Sequence, residues 1–531
     1  MGSDTSVNTD RQGTIAVHRA EDLRPSRPGD RPESICLVIP PSVFLLDERV
    51  FVSLGILRVA AVLEQAGVRV EVVDLSGIEN FVDAIEGHAR VTRSNIFGLT
   101  TTTPQLPAAR KIIESIRTVR PDARIIVGGP HVTLVNSARK LELKRRQVGR
   151  GHAAFARLQS LADVLVAGDG EIAVFDALVS PAGSVVDADE PKSGFFLTNA
   201  SYDALPFPSR HLVDMASYRY DIESHHATSL IAQLGCPFGC GFCGGRTSNS
   251  LRRIRTRSTD SIVREMEEIH RAYGYTGFMF FDDELNVSKS MLELMNGIAD
   301  LQARLGVEFR LRGFVKAELF DDRQAEAMYR AGFRWLLVGF EAASPRILEN
   351  INKRATRDDN TRCLEVARRH GLKVKALMSI GHPGESEQSV RDLHDWLIEV
   401  APDEFDCSII TTYPGTPYYD DAVPHASRAG VYTYTTPKTG DRLHAFELDF
   451  SEVADYYKGD PDGGYQAFVF TDRLSAEDLV RLRDWVERGV RARLGIPFNP
   501  SRAAERYEHS MGMAGRLPPF ILRATPRSAE R

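Results

Sequence analysis

The stretch that decides the fold is TSLIAQLGCPFGCGFCGG, residues 228–245. It begins as an apolar, strand-like run and continues as a glycine-rich loop that carries Cys236, Cys240 and Cys243 in a C-x3-C-x2-C spacing. Three thiolates this close together can hold one iron–sulfur cluster and leave one iron without a protein ligand. Structural zinc normally needs four protein ligands, and the sequence offers no further Cys or His at a matching distance downstream. Because three unrelated thiols would not need so many glycines, the loop predicts a cluster with an open iron.

A series of alternating strand-like and helical segments starts at this stretch. In the first predicted helix, Ile262, Met266 and Ile269 share one face and Gly274 ends the helix. Six β/α units in a row, with the cysteines after the first strand, predict a partial (β/α)6 barrel over residues 228–412, with its site at the C-terminal ends of the strands. The six strand-like runs are residues 228–235, 276–283, 307–314, 333–341, 372–381 and 404–412.

A second alternating series precedes the cysteine loop. Its strand-like runs are residues 35–40, 68–75, 96–101, 123–129 and 163–168. Five buried strands with helical crossovers predict an α/β domain at residues 35–180 with a doubly wound, Rossmann-like parallel sheet. Such a sheet binds its ligand at the carboxyl ends of the strands, where TTTPQL, GGPHVTL and GDGE stand in this chain. None of these loops matches the G-x-G-x-x-G dinucleotide fingerprint, although their Gly, Thr and His residues suit a large flat cofactor.

The remaining segments carry fewer signals. Residues 1–34 are polar and proline-dotted, which predicts a disordered lead-in, residues 181–227 read as a linker, and residues 413–531 read as a C-terminal substrate or cap region. A net charge of -6 gives no basic field for nucleic acid, so no nucleic-acid partner is expected. No run of 18 apolar residues occurs, so we expect no membrane partner either. Six cysteines, three of them clustered, favour a reducing, cytoplasmic location.

The cysteine loop, with Phe242 before its last Cys, resembles that of the radical S-adenosylmethionine (SAM) superfamily. In that superfamily the open iron of a 4Fe–4S cluster binds the amino and carboxylate groups of SAM, and the reduced cluster cleaves SAM to a 5'-deoxyadenosyl radical. Further blocks resemble the subfamily whose N-terminal domain binds cobalamin. They are RIRTRSTDSIVREME, FMFFDDELNV, GFEAASPRILENINKRAT, SIGHPGES and YPGTPYYD, together with the sheet that ends in GGPHVTL and GDGE. The resemblance covers residues 35–420 or so, about three quarters of the chain.

The resemblance implies site residues by their position. SAM is expected to contact Phe242, Asp282, Asp283, Glu341 and Ser379, although FDDE taken alone is equally typical of a helix N-cap. The family's D-x-H-x-x-G motif, which binds cobalt through a histidine, is absent, so His131 is expected to line the cobalamin without binding its cobalt. His382 and Lys316 depart from the family pattern. The residues expected at the cobalamin are Thr101, Thr102, Thr103, Gln105, Gly128, Gly129, His131, Gly168, Gly170 and Glu171.

The resemblance also implies a function, a cobalamin-dependent radical SAM methyltransferase that methylates an unactivated carbon of a small molecule. Its cofactors would be a 4Fe–4S cluster, SAM and methylcobalamin, reduced by an external flavodoxin- or ferredoxin-type electron donor, and antibiotic biosynthesis is the expected role. Phosphorus methylation and a radical rearrangement or cyclisation without methyl transfer are the alternatives. Methylthiolation of tRNA or a ribosomal protein would need a further cysteine set, which Cys36 alone cannot provide. A cobalamin-binding sensor would have no use for a reducible cluster.

Overall fold

The structure is a computed structural model that describes residues 32–42, 47–453, 466–497 and 517–526. Residues 1–31 of the predicted lead-in lie outside the described part of the chain. The described strands form two seven-stranded sheets, a four-stranded sheet and a two-stranded ladder. Helices cover both faces of the first large sheet and the outside of the second, so the chain folds as an α/β protein.

Six strands of the N-terminal half and the C-terminal strand β20 (Leu522–Ala524) form the first seven-stranded sheet, in the order β20-β2-β1-β3-β4-β5-β6. Strands β1 to β6 are parallel, and every residue of β1 is buried, as expected for a strand covered by helices on both faces. The predicted doubly wound sheet is therefore confirmed. Its elements are β1 (Ser34–Ile39), α1 (Leu54–Gln65), β2 (Arg69–Asp74), α2 (Phe81–Val91), β3 (Ile96–Thr100), α3 (Leu106–Val119), β4 (Arg124–Gly128), α4 (Pro130–Lys144), α5 (Arg150–Leu161), β5 (Val164–Ala167), α6 (Gly170–Val179) and β6 (Ser184–Asp187).

The second seven-stranded sheet runs in the order β15-β14-β13-β12-β11-β8-β7. Strands β8 to β15 of this sheet are parallel, which confirms the six-unit partial barrel, and β7 adds an antiparallel edge. The elements of this region are α7 (Asn199–Asp203), β7 (Asp221–Ile222), β8 (His225–Leu230), β9 (Gln233–Leu234), α8 (Asn249–Arg252), β10 (Arg255–Thr256), α9 (Thr259–Tyr273), β11 (Gly277–Phe280), α10 (Met291–Leu305), β12 (Arg310–Phe314), α11 (Asp322–Arg330), β13 (Phe333–Glu341), α12 (Pro345–Ile351), α13 (Arg357–Arg369), β14 (Lys373–Ile380), α14 (Glu387–Val400) and β15 (Glu404–Ile409).

The prediction of one continuous strand over residues 228–235 was wrong in its bounds. The barrel strand β8 ends at Leu230, and β9 forms a separate antiparallel ladder with β10. The chain turns between them because the buried carboxylate of Asp282 accepts hydrogen bonds from the backbone amides of Ala232 (3.2 Å) and Gln233 (2.5 Å). This turn starts the cysteine loop at the barrel mouth.

The C-terminal region adds a four-stranded antiparallel sheet in the order β16-β17-β18-β19. Helix α16 packs on α14 and β15, and the last described strand, β20, pairs antiparallel with β2. This strand, within the predicted C-terminal substrate or cap region, belongs to the N-terminal sheet. Similarly, β6 falls inside the predicted linker. The elements are α15 (Pro417–Asp420), β16 (Val423–Pro424), β17 (Val431–Thr435), β18 (Arg442–Phe446), β19 (Val469–Thr471), α16 (Ala476–Leu494) and β20 (Leu522–Ala524).

The two halves of the molecule share one hydrophobic core. Alternate residues of β1 separate the two faces of the first sheet: Ile35, Leu37 and Ile39 join the core that continues into the barrel, while Cys36 and Val38 face α2 and α3. Among the described helices, none combines the length and the hydrophobicity required to cross a lipid bilayer.

Candidate active site

The cysteine loop lies between β9 and α8 and is held chiefly by Arg246, while Arg252 donates to Pro237 O (2.9 Å). The Arg246 guanidinium donates to the backbone carbonyls of Cys236 (3.0 Å), Phe238 (2.5 Å) and Gly244 (3.0 Å). Burial raises the pKa of the Cys243 thiol to about 12, and the Arg246 charge opposes that shift. Thiolates need positive charge beside them in such a site, and the irons of a cluster supply it.

The glycines of this loop are required by close packing. A Cβ at Gly241 would lie 2.2 Å from the ring of Tyr418, and one at Gly245, whose φ is +75°, would lie 2.4 Å from Leu251. At Gly244 the nearest atom to a Cβ is Leu134 of α4, at 3.0 Å. The loop therefore wraps tightly between the barrel, the C-terminal region and the first sheet. Three thiols on one such loop, beside a buried cation, fit the ligand set of a 4Fe–4S cluster.

The predicted SAM residues divide into two groups. Asp282 is buried and holds the backbone that leads into the cysteine loop; burial raises its pKa to about 7, against the two amides that it accepts. Burial also raises the pKa of Asp283, which Arg246 lowers. The structure therefore places Asp282 behind the cysteine loop, where its two oxygens hold the amides of Ala232 and Gln233 and cap no helix.

Glu341 and Ser379 meet in a buried network at the ends of β13 and β14. The Ser379 hydroxyl donates to Glu341 Oε2 (2.7 Å), and Lys353 Nζ donates to Glu341 Oε1 (3.1 Å). His382 Nε2 lies 2.8 Å from Ser379 Oγ, and its ring packs edge-on against Phe242, with the ring centroids 5.5 Å apart. Glu341 has a φ of +65°, the left-handed region, which turns its carboxylate into this network. The structure thus brings Phe242, Glu341 and Ser379 together.

Two residues of this network have pKa values shifted from their ordinary range. Burial, reinforced by the charge of Lys353, lowers the pKa of His382 to about 3, so its imidazole is neutral. Glu341 and the thiol of Cys240 raise the pKa of Lys353 above its usual range, against the effect of burial. Sequence reasoning missed Lys353, because a lysine in the polar run NINKRAT reads as a solvent-exposed residue. It also missed Arg246.

The first two predicted cobalamin loops are locked to each other at the carboxyl end of the first sheet. The Thr101 amide donates to Gly128 O (3.0 Å), and the His131 amide donates to Thr101 O (3.0 Å). Gly129 has a φ of +98°, and a Cβ there would lie 2.7 Å from Thr101 N. The glycines therefore allow one loop to approach the other. Thr102 and Pro130 are the exposed residues where these loops meet solvent.

His131 and its neighbours point inward from these loops. His131 is 2% exposed, its Nδ1 shares a hydrogen bond of 3.0 Å with Thr103 Oγ1, and burial lowers its pKa to about 4. Gln105 accepts from the Thr102 amide (3.0 Å) and donates to Pro40 O (2.8 Å). This bond bridges the ends of β1 and β3, the switch point at which doubly wound sheets bind their ligands.

The third predicted loop faces the barrel. Gly168 has a φ of +87°, and a Cβ there would lie 2.4 Å from Asp189 N, so its conformation serves a backbone contact within the first sheet. Next to Gly170, Asp169 forms a salt bridge with Arg255 of β10. Burial, together with the charge of Asp169, raises the pKa of Glu171 to about 7.

Three contacts join the first sheet to the cysteine loop. Leu134 of α4 packs on Gly244, and Ser137 Oγ of the same helix lies 2.6 Å from Thr247 Oγ1. Asp189, just after β6, accepts hydrogen bonds from Ser248 Oγ (2.6 Å) and Ser250 N (2.8 Å). The helix that follows the GGPH loop therefore supports the cysteine loop directly, so the two candidate cofactor sites adjoin.

Comparisons with known proteins agree with this arrangement. The sequence profile of the radical SAM superfamily matches residues 230–397, and that of the B12 binding domain matches residues 48–159. The chain therefore carries a radical SAM domain and a B12 binding domain. Its cofactors are accordingly a 4Fe–4S cluster, SAM and cobalamin, and it is an enzyme of the radical SAM methyltransferase kind.

Relatives and solved structures resemble this radical SAM protein over different spans. An uncharacterised methyltransferase of Pyrococcus horikoshii is 26% identical over 343 residues, 62% of this chain and 69% of the relative. Bacteriochlorophyllide d C-12(1)-methyltransferase of Chlorobaculum tepidum is 27% identical, over 38% of this chain and 46% of its own length. The structure of TsrM from Kitasatospora setae, a radical SAM methyltransferase with cobalamin and a 4Fe–4S cluster bound, superposes with a TM-score of 0.58 at 18% identity, covering 90% of this chain and 93% of that chain. TsrM has also been solved with tryptophan and a SAM analogue.

Proposed function

We propose that this enzyme transfers a methyl group to an unactivated carbon of a small molecule. The observation that carries the proposal is the direct support of the cysteine loop by α4, the helix that follows the predicted cobalamin loop GGPH. A methyl donor and a radical source must adjoin one substrate for carbon methylation, and this contact supports such a reaction because it joins the elements that carry the two predicted sites. When bound, cobalamin supplies the methyl group and cluster-bound SAM supplies the radical.

The chain's own residues would hold these groups as follows. Cys236, Cys240 and Cys243 bind the cluster, and Arg246 keeps their loop in place through its carbonyls. Glu341, oriented by Lys353 and Ser379, presents an acceptor for the ammonium and hydroxyl groups of SAM. The predicted Asp283 would act beside it, whereas Asp282 acts by fixing the backbone before Cys236.

Cobalamin would lie on the exposed side of the two locked loops. Thr102 and Pro130 present that surface, while Thr101, Thr103, Gln105, Gly128 and Gly129 set its shape. His131 supports the surface from inside, since its Nδ1 is bonded to Thr103. We therefore keep the prediction that no protein imidazole binds the cobalt. Cobalamin would also contact Gly168, Gly170 and Glu171, on the side of the same sheet that faces the barrel.

The C-terminal four-stranded sheet would act as the cap over the barrel mouth. Thr471 of β19 donates to Glu385 O (2.9 Å), and Asp441 forms a salt bridge with Arg346 of α12 (2.7 Å). Tyr418 packs against both Gly241 of the cysteine loop and Tyr434 of β17. Aromatic side chains at this position suit a small organic substrate such as the tryptophan bound by TsrM.

An acidic electron donor of the flavodoxin or ferredoxin type would reach the cluster beside Pro237, which is exposed. Asn352 Nδ2 donates to Gly239 O (3.0 Å) at this point, and a cavity of about 450 Å³ opens next to it. Its lining includes the cations Arg354, Arg357 and Lys438 and the carboxylates Glu349 and Asp358, which leaves one net positive charge. Opposite charge steers such partners together. A role in antibiotic biosynthesis and a cytoplasmic location stay predictions from the sequence.

The decisive experiment uses SAM with a deuterated methyl group and the reconstituted enzyme. We expect a candidate metabolite, tryptophan first, to gain one deuterated methyl group on carbon, as read by mass spectrometry. Cys240→Ser should abolish both SAM cleavage and methylation, whereas Cys363→Ser, a matched change at a buried cysteine away from the loop, should preserve both. If SAM is cleaved and the product is rearranged or cyclised without label, the enzyme catalyses the alternative reaction without methyl transfer. Label on phosphorus would instead establish phosphorus methylation.

A further inference from the structure

Three different metal-binding side chains meet on the face of the first sheet that α2 and α3 cover. They are the thiol of Cys36 on β1, the carboxylate of Glu71 on β2 and the imidazole of His88 on α2, with their ligand atoms all within 4.8 Å of one another. Cys36 and Glu71 pair directly in the β1–β2 register, so their side chains project from the same face of the sheet. This group lies away from the loops at the carboxyl ends of the strands.

The spacing suits a small tetrahedral ion. His88 Nε2 lies 3.2 Å from Glu71 Oε2. Bonds of about 2.0 to 2.3 Å in a tetrahedral zinc site place neighbouring ligand atoms about 3.3 to 3.6 Å apart. The Thr92 hydroxyl donates to Glu71 Oε2 (2.6 Å), which orients the carboxylate as outer partners of metal ligands commonly do. The ligands therefore need only small shifts to close around an ion.

The burial and charge of the group also suit a divalent cation. Cys36 is fully buried, His88 is 4% exposed and the Glu71 side chain is 16% exposed, so solvent reaches the group from the side of Glu71. Binding of Zn²⁺ would replace the proton of the Cys36 thiol by a zinc–sulfur bond and release that proton to water. The thiolate and the carboxylate then neutralise the two positive charges, which avoids a net charge in the sheet interior. The charges of His88 and Arg69 both lower the pKa of Glu71, against the effect of burial.

We propose that Cys36, Glu71 and His88 bind one zinc ion, with solvent as the fourth ligand. The ion joins β1, β2 and α2 at the edge where β20 is added, and it is separate from the three cofactors of the reaction. The ion lies among the apolar side chains between the sheet and its helices, and its solvent ligand distinguishes it from a structural zinc closed by four protein ligands.

To test this, the complete enzyme is first loaded with its cluster and cobalamin, so that the cysteine loop is occupied. Zn²⁺ is then added, and the excess is removed. Wild-type protein should retain about one zinc per chain by plasma mass spectrometry, and His88→Gln should lose it while its iron and cobalt contents stay unchanged. Cys363→Ser is the matched control, since it changes a buried cysteine outside the group, and it should retain the zinc.

X-ray absorption at the zinc edge of the wild-type protein decides the case without any variant. We expect one sulfur at about 2.3 Å with nitrogen and oxygen ligands at about 2.0 Å. Cys36→Ser should remove the sulfur signal. The proposal is overturned if wild-type protein retains no zinc, if several sulfurs surround the ion as they would on the cysteine loop, or if His88→Gln retains the zinc.

Discussion

Replacement of Asp189 by Ala should loosen the cysteine loop although this residue lies outside both cofactor sites. Its buried Oδ1 accepts hydrogen bonds from Ser248 Oγ (2.6 Å), Ser250 N (2.8 Å) and Ser250 Oγ (2.7 Å), immediately after the three cysteines. Asp189→Ala removes all three and leaves their donors without this acceptor. The free energy of opening residues 246–252 should therefore fall while the first sheet keeps its fold.

The magnitude follows from the number of bonds. A hydrogen bond to a charged group contributes about 1.5 to 3 kcal/mol, and three bonds to one oxygen fall at the lower end of that range. The change also relieves the desolvation cost of a buried carboxylate, so we expect a net loss of about 3 kcal/mol. Lys140 keeps an ion-pair partner after this change, because its Nζ also lies 2.9 Å from Asp187 Oδ2. A loss of this size makes opening about 100-fold more frequent.

Hydrogen–deuterium exchange of the apo protein measures this opening. Peptides covering Ser250 should exchange about 100-fold faster in Asp189→Ala, and air should remove iron faster from the reconstituted variant. Asp187→Asn removes one charge two residues away but keeps the side-chain oxygen that accepts from the Asp189 amide (3.1 Å), and it should change neither rate. Unchanged exchange at Ser250 in Asp189→Ala would refute the view that this carboxylate supports the loop.

Further changes test other parts of the site. Gly241→Ala should lower the free energy of unfolding by about 1 to 3 kcal/mol, because its Cβ would lie 2.2 Å from the Tyr418 ring. The control Gly55→Ala, whose Cβ would have no atom within 4 Å, should stabilise α1 in thermal unfolding. Equal effects of the two changes would contradict this reasoning. Arg246→Lys loses at least two bonds to loop carbonyls, so iron should leave the cluster about tenfold faster. The pKa of His382 is lowered to about 3, so the unfolded chain takes up a proton below pH 6.5 that the folded chain does not, and stability is lost as pH falls from 6.5. In His382→Gln the melting temperature should fall less between pH 7 and 5 than in the wild type, while His131, whose pKa is lowered to about 4, keeps its own contribution. A variant that melts with the wild-type pH slope would show that this histidine is not the titrating group.

The pattern of apolar residues along the chain predicted the strands that are buried by the helices next to them in the sequence. The run at residues 333–341 became β13 with the predicted ends, because nine mostly apolar residues are enclosed on both faces. The start of the barrel was predicted less well, because the turn after Leu230 depends on Asp282, fifty residues away along the chain. Apolar alternation carries no information about such a contact.

The same reason limits the prediction of the site. Family blocks located Glu341 and Ser379, which lie at strand ends, and the structure brings them together. Lys353 and Asp189 lie in polar stretches, where a charged side chain normally faces solvent. Their burial depends on partners from other elements, Glu341 for the lysine and Ser250 for the aspartate. Only the assembled fold identifies them.

The pairing of β2 with β20 sets an order of events during synthesis. Glu71 and Ala524 are partners in this ladder, and 453 residues separate them. At about 5 to 20 residues per second, a ribosome needs about 20 to 90 s to make the intervening chain. Throughout that interval the β2 edge has no β20 beside it, and unpaired edges attract other strands. The nascent chain therefore has most to gain from a chaperone between the formation of its first sheet and the synthesis of β20, an interval that lasts beyond the last barrel strand.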